Sequence, residues 1–463
     1  MVKTAFLSPE PALKPADFVG RLAEIDWLAD KLGRQIPQNC NLVGEPRSGK
    51  TSLLHLVYER QIGLPPGENG LYVWLRLVEL ASPDSLSFWR LLIRRLCKAA
   101  VKAELLPETV ITLAKNAADL ADLFEALDEC LEMLLEEAGL QRLVVLIDDF
   151  DLLVGSGGIG KRDLDWLRAL ATRYGRSLAF VIASTDSLVN LTDPLTGPAD
   201  VSPFANLFHN LPLGLLDRAE AETLCRQAAE VEQVPVTDAD VAFLLAEAGR
   251  HPDLLKIACG YLFAARRDGT GDVYGRVAAD VRLNDRVAWL SRRLLQRRSA
   301  EEIVLLRQLA SGQPAPETIL LNRLVRFGLV EWRGGEPALF AAAFEFWVQR
   351  EMSGGEWMIG GKGETAVSQS ITPFTYLPEK RQVKIEGQTI ELTRLENRLL
   401  AYLNERINQV CTTRDLLQNV WGPGKTEAVV EKGINRLRKK IEQDPQRPRY
   451  ILSAGGEGYI LRD

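Results

Sequence analysis

Histidine is scarce in this sequence, and cysteine does not occur in paired motifs. The 463 residues contain three histidines and six cysteines, and no cysteines stand in a C-x-x-C pair. Zinc sites are built mainly from clustered cysteine and histidine ligands, and disulfide frameworks belong to short secreted chains. We therefore expect neither a zinc centre nor disulfides, and we interpret the cysteines as reduced core residues.

Long apolar runs and a strong excess of one charge are missing as well. No uncharged apolar stretch approaches the roughly 18 residues of a membrane span, and no signal peptide is visible. We therefore expect a cytoplasmic protein without membrane contact. The net charge of −6 rules out a wholly basic nucleic-acid binder. The charge is uneven, however, because residues 378–463 carry 16 basic and 12 acidic side chains.

The stretch Gly44–Thr51 reads G-x-x-x-x-G-K-T, the P-loop motif, and lies between a short apolar run and a helix-like run. Two glycines let backbone N–H groups converge on one anion, and the following helix N-terminus favours negative charge. We predict that Lys50 reaches the β- and γ-phosphates and that Thr51 binds Mg²⁺. A chance match on a glycine-rich turn is the alternative. The predicted nucleotide contacts here are Gly44, Glu45, Pro46, Arg47, Ser48, Gly49, Lys50, Thr51 and Ser52.

A second motif follows about 95 residues later, where the apolar run 143–147 ends in Asp148 and Asp149. This pattern predicts a central parallel strand with carboxylates at its C-terminal edge, where open α/β sheets bind ligands. Asp148 is predicted to hold Mg²⁺, and Asp149 to act with Lys50 in catalysis by polarising the attacking water. A helix N-cap carboxylate is the alternative. Together the two motifs predict ATP or ADP with Mg²⁺ as cofactors.

Other segments predict the surroundings of this site. Runs 71–75, 178–185 and 208–213 complete a five-stranded parallel sheet flanked by helices. Ser184 or Thr185 is either a γ-phosphate sensor or a cap. Val19 and Arg21, upstream of the loop, are predicted to lie against the base. In the turn 249–252, Pro252 is a candidate base contact and Arg250 or His251 a candidate phosphate contact, although a simple helix stop and start explains the same residues.

The chain pattern divides into several predicted domains. Residues 283–352 read as helices followed by a hairpin and a further helix, which is the pattern of a winged helix. Its second helix, at residues 318–324, has few basic residues, which favours packing on the ATPase over DNA contact. Glycine and serine mark the clearest linker. The predicted ranges are an arm at 1–17, a P-loop ATPase domain at 18–215, a helical lid at 216–282, the winged helix at 283–352, a linker at 353–377 and a last winged helix at 378–463.

The helix predicted at 427–442 has one cationic and one apolar face. The i, i+3, i+4, i+7 spacing places Lys432, Asn435, Arg436 and Lys439 together, opposite Ile434, Leu437 and Ile441. Such a helix fits the DNA major groove, with arginine suited to guanine edges and lysine to phosphates. A solvated charged face is the alternative.

Residues 18–350 resemble the STAND class of signalling ATPases, relatives of the AAA+ initiators. The resemblance is carried by Phe18-Val19-Gly20-Arg21-x-x-Glu24, by the two motifs above, by the segment 206–213 and by Gly249-x-His251-Pro252. It implies an ATP/ADP switch that hydrolyses slowly and assembles as a homo-oligomer when ATP is bound. Thr185 stands where many relatives have arginine, and the usual C-terminal sensor repeats are missing.

Residues 376–463 resemble the winged-helix effector domain of OmpR/PhoB-type response regulators. The matching motifs are Leu392-Thr393-x-x-Glu396, Val420-Trp421-Gly422, Ile434-x-x-Leu437-Arg438-x-Lys440-Ile441 and Gly458-Tyr459. The resemblance implies binding of double-stranded DNA through Asn435 and Arg436, with Lys432 and Arg438 near phosphates. Gly433 replaces a histidine common in that family, which weakens the helix by roughly 1 kcal/mol. No arginine stands at Gly455 or Gly456 in the wing.

These features predict a multidomain α/β protein: a P-loop parallel sheet with a helical lid, then a winged helix, then an OmpR/PhoB-type winged helix. We expect an ATP-switched DNA-binding transcription regulator, with an unidentified signalling protein as a possible further partner. Two other functions stay open. One is an ATPase that loads or remodels something on DNA. The other is a signalling or defence ATPase whose last domain binds protein.

Overall fold

The computed structural model forms two compact units, Met1–Gly360 and Gly361–Asp463. The predicted N-terminal arm and residues 353–374 of the predicted linker lie outside the residues that the structure describes. The described ranges of the first unit are 18–111, 119–155, 157–196, 204–269, 271–315 and 317–352. Those of the second unit are 375–377, 381–385, 388–404, 411–421, 427–442, 450–454 and 458–461.

The first unit is built on a five-stranded parallel sheet, as predicted. The strands are β1 Asn39–Gly44, β2 Gly70–Arg76, β3 Arg142–Asp148, β4 Leu178–Ser184 and β5 Phe208–Leu213. They are apolar along most of their length because helices cover both faces of the sheet. Their order in the sheet is β2-β3-β4-β1-β5, so β4 lies between β1, which leads into the glycine-rich loop, and β3, which ends in the two aspartates.

Helices pack on both sides of this sheet. One face covers a core that includes Phe88, Trp89 and Phe180, and the other covers a core that includes Leu28 and Leu53. All five of these side chains are buried. The helices are α1 Leu22–Gly33, α2 Lys50–Arg60, α3 Ser85–Lys102, α4 Leu120–Glu132, α5 Asp151–Gly155, α6 Lys161–Arg173 and α7 Leu188–Thr196.

The remainder of this unit is helical apart from one hairpin. Its helices share a core that includes Leu224, Leu255, Leu290, Leu306 and Phe344, so the predicted lid and first winged helix pack as one body. The helices are α8 Arg218–Glu232, α9 Asp238–Ala248, α10 Pro252–Asp268, α11 Val273–Arg282, α12 Asp285–Gln296, α13 Ala300–Ala310, α14 Ile319–Arg326 and α15 Ala342–Met352. The antiparallel hairpin is β6 Val330–Arg333 and β7 Glu336–Leu339.

The second unit is a winged helix with a small N-terminal sheet. Strand β8, Thr375–Leu377, pairs with β9 although the sequence placed it in the linker, because a three-residue strand has too short a pattern to stand out. The other elements are β9 Gln382–Ile385, β10 Gln388–Glu391, α16 Arg394–Asn404, β11 Cys411–Thr412, α17 Thr413–Leu416, α18 Glu427–Ile441, β12 Ile451–Ala454 and β13 Gly458–Leu461. Across the described parts of both units, no helix combines the length and the apolar character needed to cross a bilayer.

Candidate nucleotide site and DNA-contacting helix

A cavity of about 460 Å³ lies at the C-terminal edge of the parallel sheet. It brings together most of the nucleotide contacts that the sequence predicts. The predicted residues that line it are Pro46, Arg47, Gly49, Lys50, Thr51, Ser52, Asp149 and Pro252. Elements that are far apart in the sequence thus converge on one concave site.

The glycine-rich loop has the backbone that the motif requires. Gly49 has a φ of +99°, which a residue with a side chain rarely adopts. A Cβ at Gly44 would lie 2.6 Å from the Ser48 hydroxyl and 2.8 Å from the Leu213 carbonyl, so that end of the loop is tightly packed. Lys50 begins α2, and its Nζ donates to the carbonyls of Gly44 at 2.7 Å and Glu45 at 3.0 Å. The loop therefore wraps around its own lysine.

Thr51 and Asp148 meet at the base of the cavity. The Thr51 side chain is hydrogen-bonded to Asp148, a carboxylate that is only 1% exposed. Burial and the neighbouring Asp149 raise the pKa of Asp148 to about 6, while Thr51 and Lys50 oppose the shift. The second oxygen of Asp148 is buried without a hydrogen-bond partner among the described residues. A hydroxyl beside an unsatisfied carboxylate oxygen fits the oxygen ligands that Mg²⁺ prefers.

Asp149 and Thr185 lie on the cavity wall beside this pair. Asp149 has a φ of +58°, and burial raises the pKa of its carboxyl group. The Thr185 backbone N–H donates to Asp151 at 2.9 Å, and its hydroxyl also donates to Asp151. Asp151 therefore orients Thr185, a role that the sequence did not reveal. Ser184 instead serves the sheet, since its hydroxyl accepts from Asn41 at 2.7 Å.

Four residues near the site have structural partners. Arg21 is buried and donates to the carbonyls of Gly214 at 2.6 Å and Ser48 at 3.0 Å, so it supports the loop from behind. Val19 packs against the helical core, and neither residue lines the cavity. Arg250 pairs with Glu331 at 2.9 Å, and His251 caps α10. For Arg250 and His251 these contacts fit the alternative interpretation, in which the turn ends one helix and begins the next. Pro252, by contrast, lines the cavity.

In the second unit, α18 separates its two faces as predicted. Ile434, Leu437 and Ile441 are buried, whereas the four polar side chains Lys432, Asn435, Arg436 and Lys439 are exposed. Lys440, at the edge between the faces, pairs with Glu396 at 2.8 Å. The exposed face has the residue types that contact base edges and phosphates in a major groove.

Comparison with known proteins agrees with both halves of this description. Residues 387–461 match the family of transcriptional regulatory protein C-terminal domains. The response regulator DrrB of Thermotoga maritima, an OmpR/PhoB homologue, is 38% identical over 18% of this chain and 38% of its own, with a TM-score of 0.17. The family match alone identifies the second unit as a winged helix of the transcriptional-regulator C-terminal type.

The first unit has the fold of P-loop ATPases. A Walker-type ATPase of Pyrococcus abyssi is similar over 74% of this chain and 99% of its own, with 18% identity and a TM-score of 0.50. The ORC2 protein of Aeropyrum pernix is 15% identical over 75% of this chain and 98% of its own, with a TM-score of 0.47. At 18% identity the likeness to the Pyrococcus abyssi protein concerns the fold alone. The chain joins such an ATPase fold to a transcriptional-regulator C-terminal domain.

Arg438 does not lie where the sequence predicted it. It is 8% exposed, its Nε donates to the Ile451 carbonyl at 2.9 Å, and its guanidinium stacks 5.6 Å from the Tyr459 ring centre. Because this guanidinium faces the two wing strands, the predicted phosphate contact is wrong. Arg438 instead joins α18 to the wing strands β12 and β13 of the transcriptional-regulator C-terminal domain.

Gly433 has a packing reason that the sequence did not show. A Cβ at this position would lie 2.4 Å from Cζ2 and 2.8 Å from Cη2 of Trp421. These separations are far shorter than van der Waals contact, so the indole occupies the space of any side chain at position 433. The glycine that lowers helix propensity is thus the residue that lets Trp421 pack against α18.

Proposed function

We propose that this protein is an ATP/ADP-switched DNA-binding transcription regulator of the STAND type. One observation carries the proposal: the same chain surrounds a cavity with Lys50, Thr51 and Asp149, and presents an exposed Asn435 and Arg436 on a recognition helix. A nucleotide site and a duplex-reading helix on one chain suit a regulator in which bound nucleotide controls DNA binding.

The nucleotide site has a role for each of its charged residues. Lys50 would neutralise the β- and γ-phosphates, and Thr51 and Asp148 would hold Mg²⁺, which supplies charge neutralisation at the phosphates. Asp149 would orient a water for slow hydrolysis. Its raised pKa, caused by burial, favours proton acceptance because a more basic carboxylate holds a proton better.

Control of DNA binding would come from assembly. The lid and first winged helix share one core, so a nucleotide-dependent shift of the lid would move the winged helix with it. If ATP brings several chains together, weak contacts from single recognition helices add through effective concentration. A change from mostly inactive to mostly active requires the two nucleotides to differ by roughly 5 kcal/mol in their preference for the active arrangement.

The test is DNA binding by wild type, Lys50→Ala and the control Arg60→Ala, each with a non-hydrolysable ATP analogue, ADP or no nucleotide. Arg60 is an exposed cation at the end of the same helix, so this control removes a charge away from the cavity. We expect the ATP analogue to strengthen binding of selected genomic fragments by wild type and Arg60→Ala only. Equal binding in every condition would reject the switch.

Two further measurements separate the other two functions: the rate of ATP hydrolysis with and without DNA, and the DNA affinity of Arg436→Ala. A DNA-loading or remodelling ATPase would hydrolyse ATP quickly, would be stimulated by DNA and would show no sequence preference. A protein-binding role for the last domain would leave DNA affinity unmeasurable, or unchanged in Arg436→Ala.

A further inference from the structure

Helix α12 contributes a stripe of side chains to the cavity that the sequence did not associate with the nucleotide. Trp289, Arg293 and Arg297 follow one another at intervals of four residues, and all three line the cavity. Residues four apart lie on one face of a helix. The guanidinium of Arg293 lies 5.9 Å from the Trp289 ring centre. Arg297 is the C-cap residue directly after α12 and lies beside Glu45 of the P-loop.

The end of α12 is attached to the loop through a buried carboxylate. Glu45 is 3% exposed, and Arg298 donates from Nη2 to its Oε1. Arg298 is itself 3% exposed and also donates from Nε to the Leu294 carbonyl at 3.1 Å. This pair fixes the junction between α12 and α13 against the P-loop, because two buried opposite charges stabilise each other only when they stay together.

Arg297 forms a weaker ion pair with the same carboxylate. Its Nε lies 3.4 Å from Oε2 of Glu45, too long for a good hydrogen bond, and its side chain is 32% exposed. Arg298 already neutralises Glu45, so Arg297 is a second cation on one carboxylate. It can therefore leave Glu45 without exposing a buried charge.

The triphosphate offers Arg297 a better partner. Arginine pairs with phosphate oxygens in two parallel hydrogen bonds, and such charged bonds are stronger than neutral ones. Among the described residues that line the cavity, the segment just after β4 contributes the neutral Thr185, which is already engaged by Asp151. We propose that Arg297 distinguishes a nucleoside triphosphate from a diphosphate by exchanging Glu45 for the terminal phosphate, an inference that rests on the proposed nucleotide switch.

The exchange of Glu45 for phosphate would also link the bound nucleotide to the position of α13. Arg297 is followed directly by Arg298 and by Ser299, whose hydroxyl accepts from the Glu302 backbone N–H at 3.2 Å and caps α13. Helix α13 follows α12 within the predicted winged-helix domain 283–352. A shift of Arg297 towards phosphate would thus displace Ser299, the residue that caps α13.

The test compares affinities for a fluorescent non-hydrolysable ATP analogue and for the matching ADP, both with Mg²⁺, in the full-length protein. Arg297→Ala should lose about 10- to 100-fold in affinity for the triphosphate, the range for a lost charged hydrogen bond, and less than about 3-fold for ADP. Arg297→Lys, which keeps the charge, should fall between. The control Arg276→Ala removes an arginine of α11 and should match wild type.

Glu45→Gln gives a second arm with the opposite sign. A neutral glutamine holds Arg297 less strongly, so affinity for the triphosphate should rise relative to ADP. If that variant does not fold, the Arg297 variants still decide. Equal loss of both nucleotides in Arg297→Ala, or no loss, overturns the inference while the nucleotide switch stands. Failure of wild type to bind either nucleotide removes both.

Discussion

Substituting Gly433 by alanine gives the sharpest test of how the recognition helix is packed. In an exposed helix this change stabilises by about 1 kcal/mol, because alanine restricts the unfolded chain and favours the helix. Here the new Cβ would lie 2.4 Å from the Trp421 indole, and overpacking of this kind costs roughly 1–3 kcal/mol. The net result expected for Gly433→Ala is destabilisation of α18 by about 1 kcal/mol.

Removing the indole should reverse the sign. In a Trp421→Leu background the space beside Gly433 is open, so Gly433→Ala should stabilise α18 by about 1 kcal/mol. The coupling energy between the two positions is then about 2 kcal/mol, within the range seen for residues in contact.

Hydrogen exchange of the backbone amides of Glu427–Ile441 in the full-length protein measures this local stability directly. Wild type, the two single variants and the double variant complete the cycle. Additive effects, with coupling below about 0.5 kcal/mol, would show that the indole does not set the identity of residue 433.

Three further outcomes are expected. Arg436→Ala should lose about 1–3 kcal/mol of binding free energy on the preferred duplex only. Lys439→Ala should weaken binding to every duplex and reduce the slope of log K against log salt by about 0.9. Anisotropy titration measures both effects. Arg438→Ala should lower the melting temperature of the protein, since a buried charged hydrogen bond to Ile451 is lost. Burial lowers the pKa of His251 to about 4 in the folded protein. As the pH falls below 6.5, this histidine is therefore protonated in the unfolded chain before it is protonated in the folded protein, and the folded state loses stability. Wild type should therefore lose roughly 3 kcal/mol more stability than His251→Asn between pH 6.5 and 4, seen as a larger fall in melting temperature, and equal falls would contradict the buried neutral imidazole.

The sequence predicted those features that depend on local pattern. The apolar runs ending at Asp148 and Ser184 marked strands because buried parallel strands need continuous apolar residues. The loop at Lys50 was evident because its glycines and lysine have fixed spacing. Arg438 was placed wrongly, although it stands four residues after Ile434 and so belongs to the buried face by helical geometry.

Contacts between distant parts of the chain left no such pattern. Arg298 meets Glu45 across 253 positions, and neither residue has neighbours that indicate a partner. The contribution of α12 to the cavity was missed for the same reason. Its spacing of an aromatic and two arginines marks one helix face, but spacing alone does not show which surface that face meets.

The buried Glu45 sets a limit on how this protein can be divided. A fragment ending at residue 282, the predicted end of the lid, would keep Glu45 inside the P-loop and discard Arg297 and Arg298. Leu294, Phe327 and Phe340, which line the same space as Glu45, would be lost with the two arginines. Such a fragment would therefore lack both the charges and the packing that hold this carboxylate, so the smallest piece that preserves the native surroundings of the loop must extend past the end of α12.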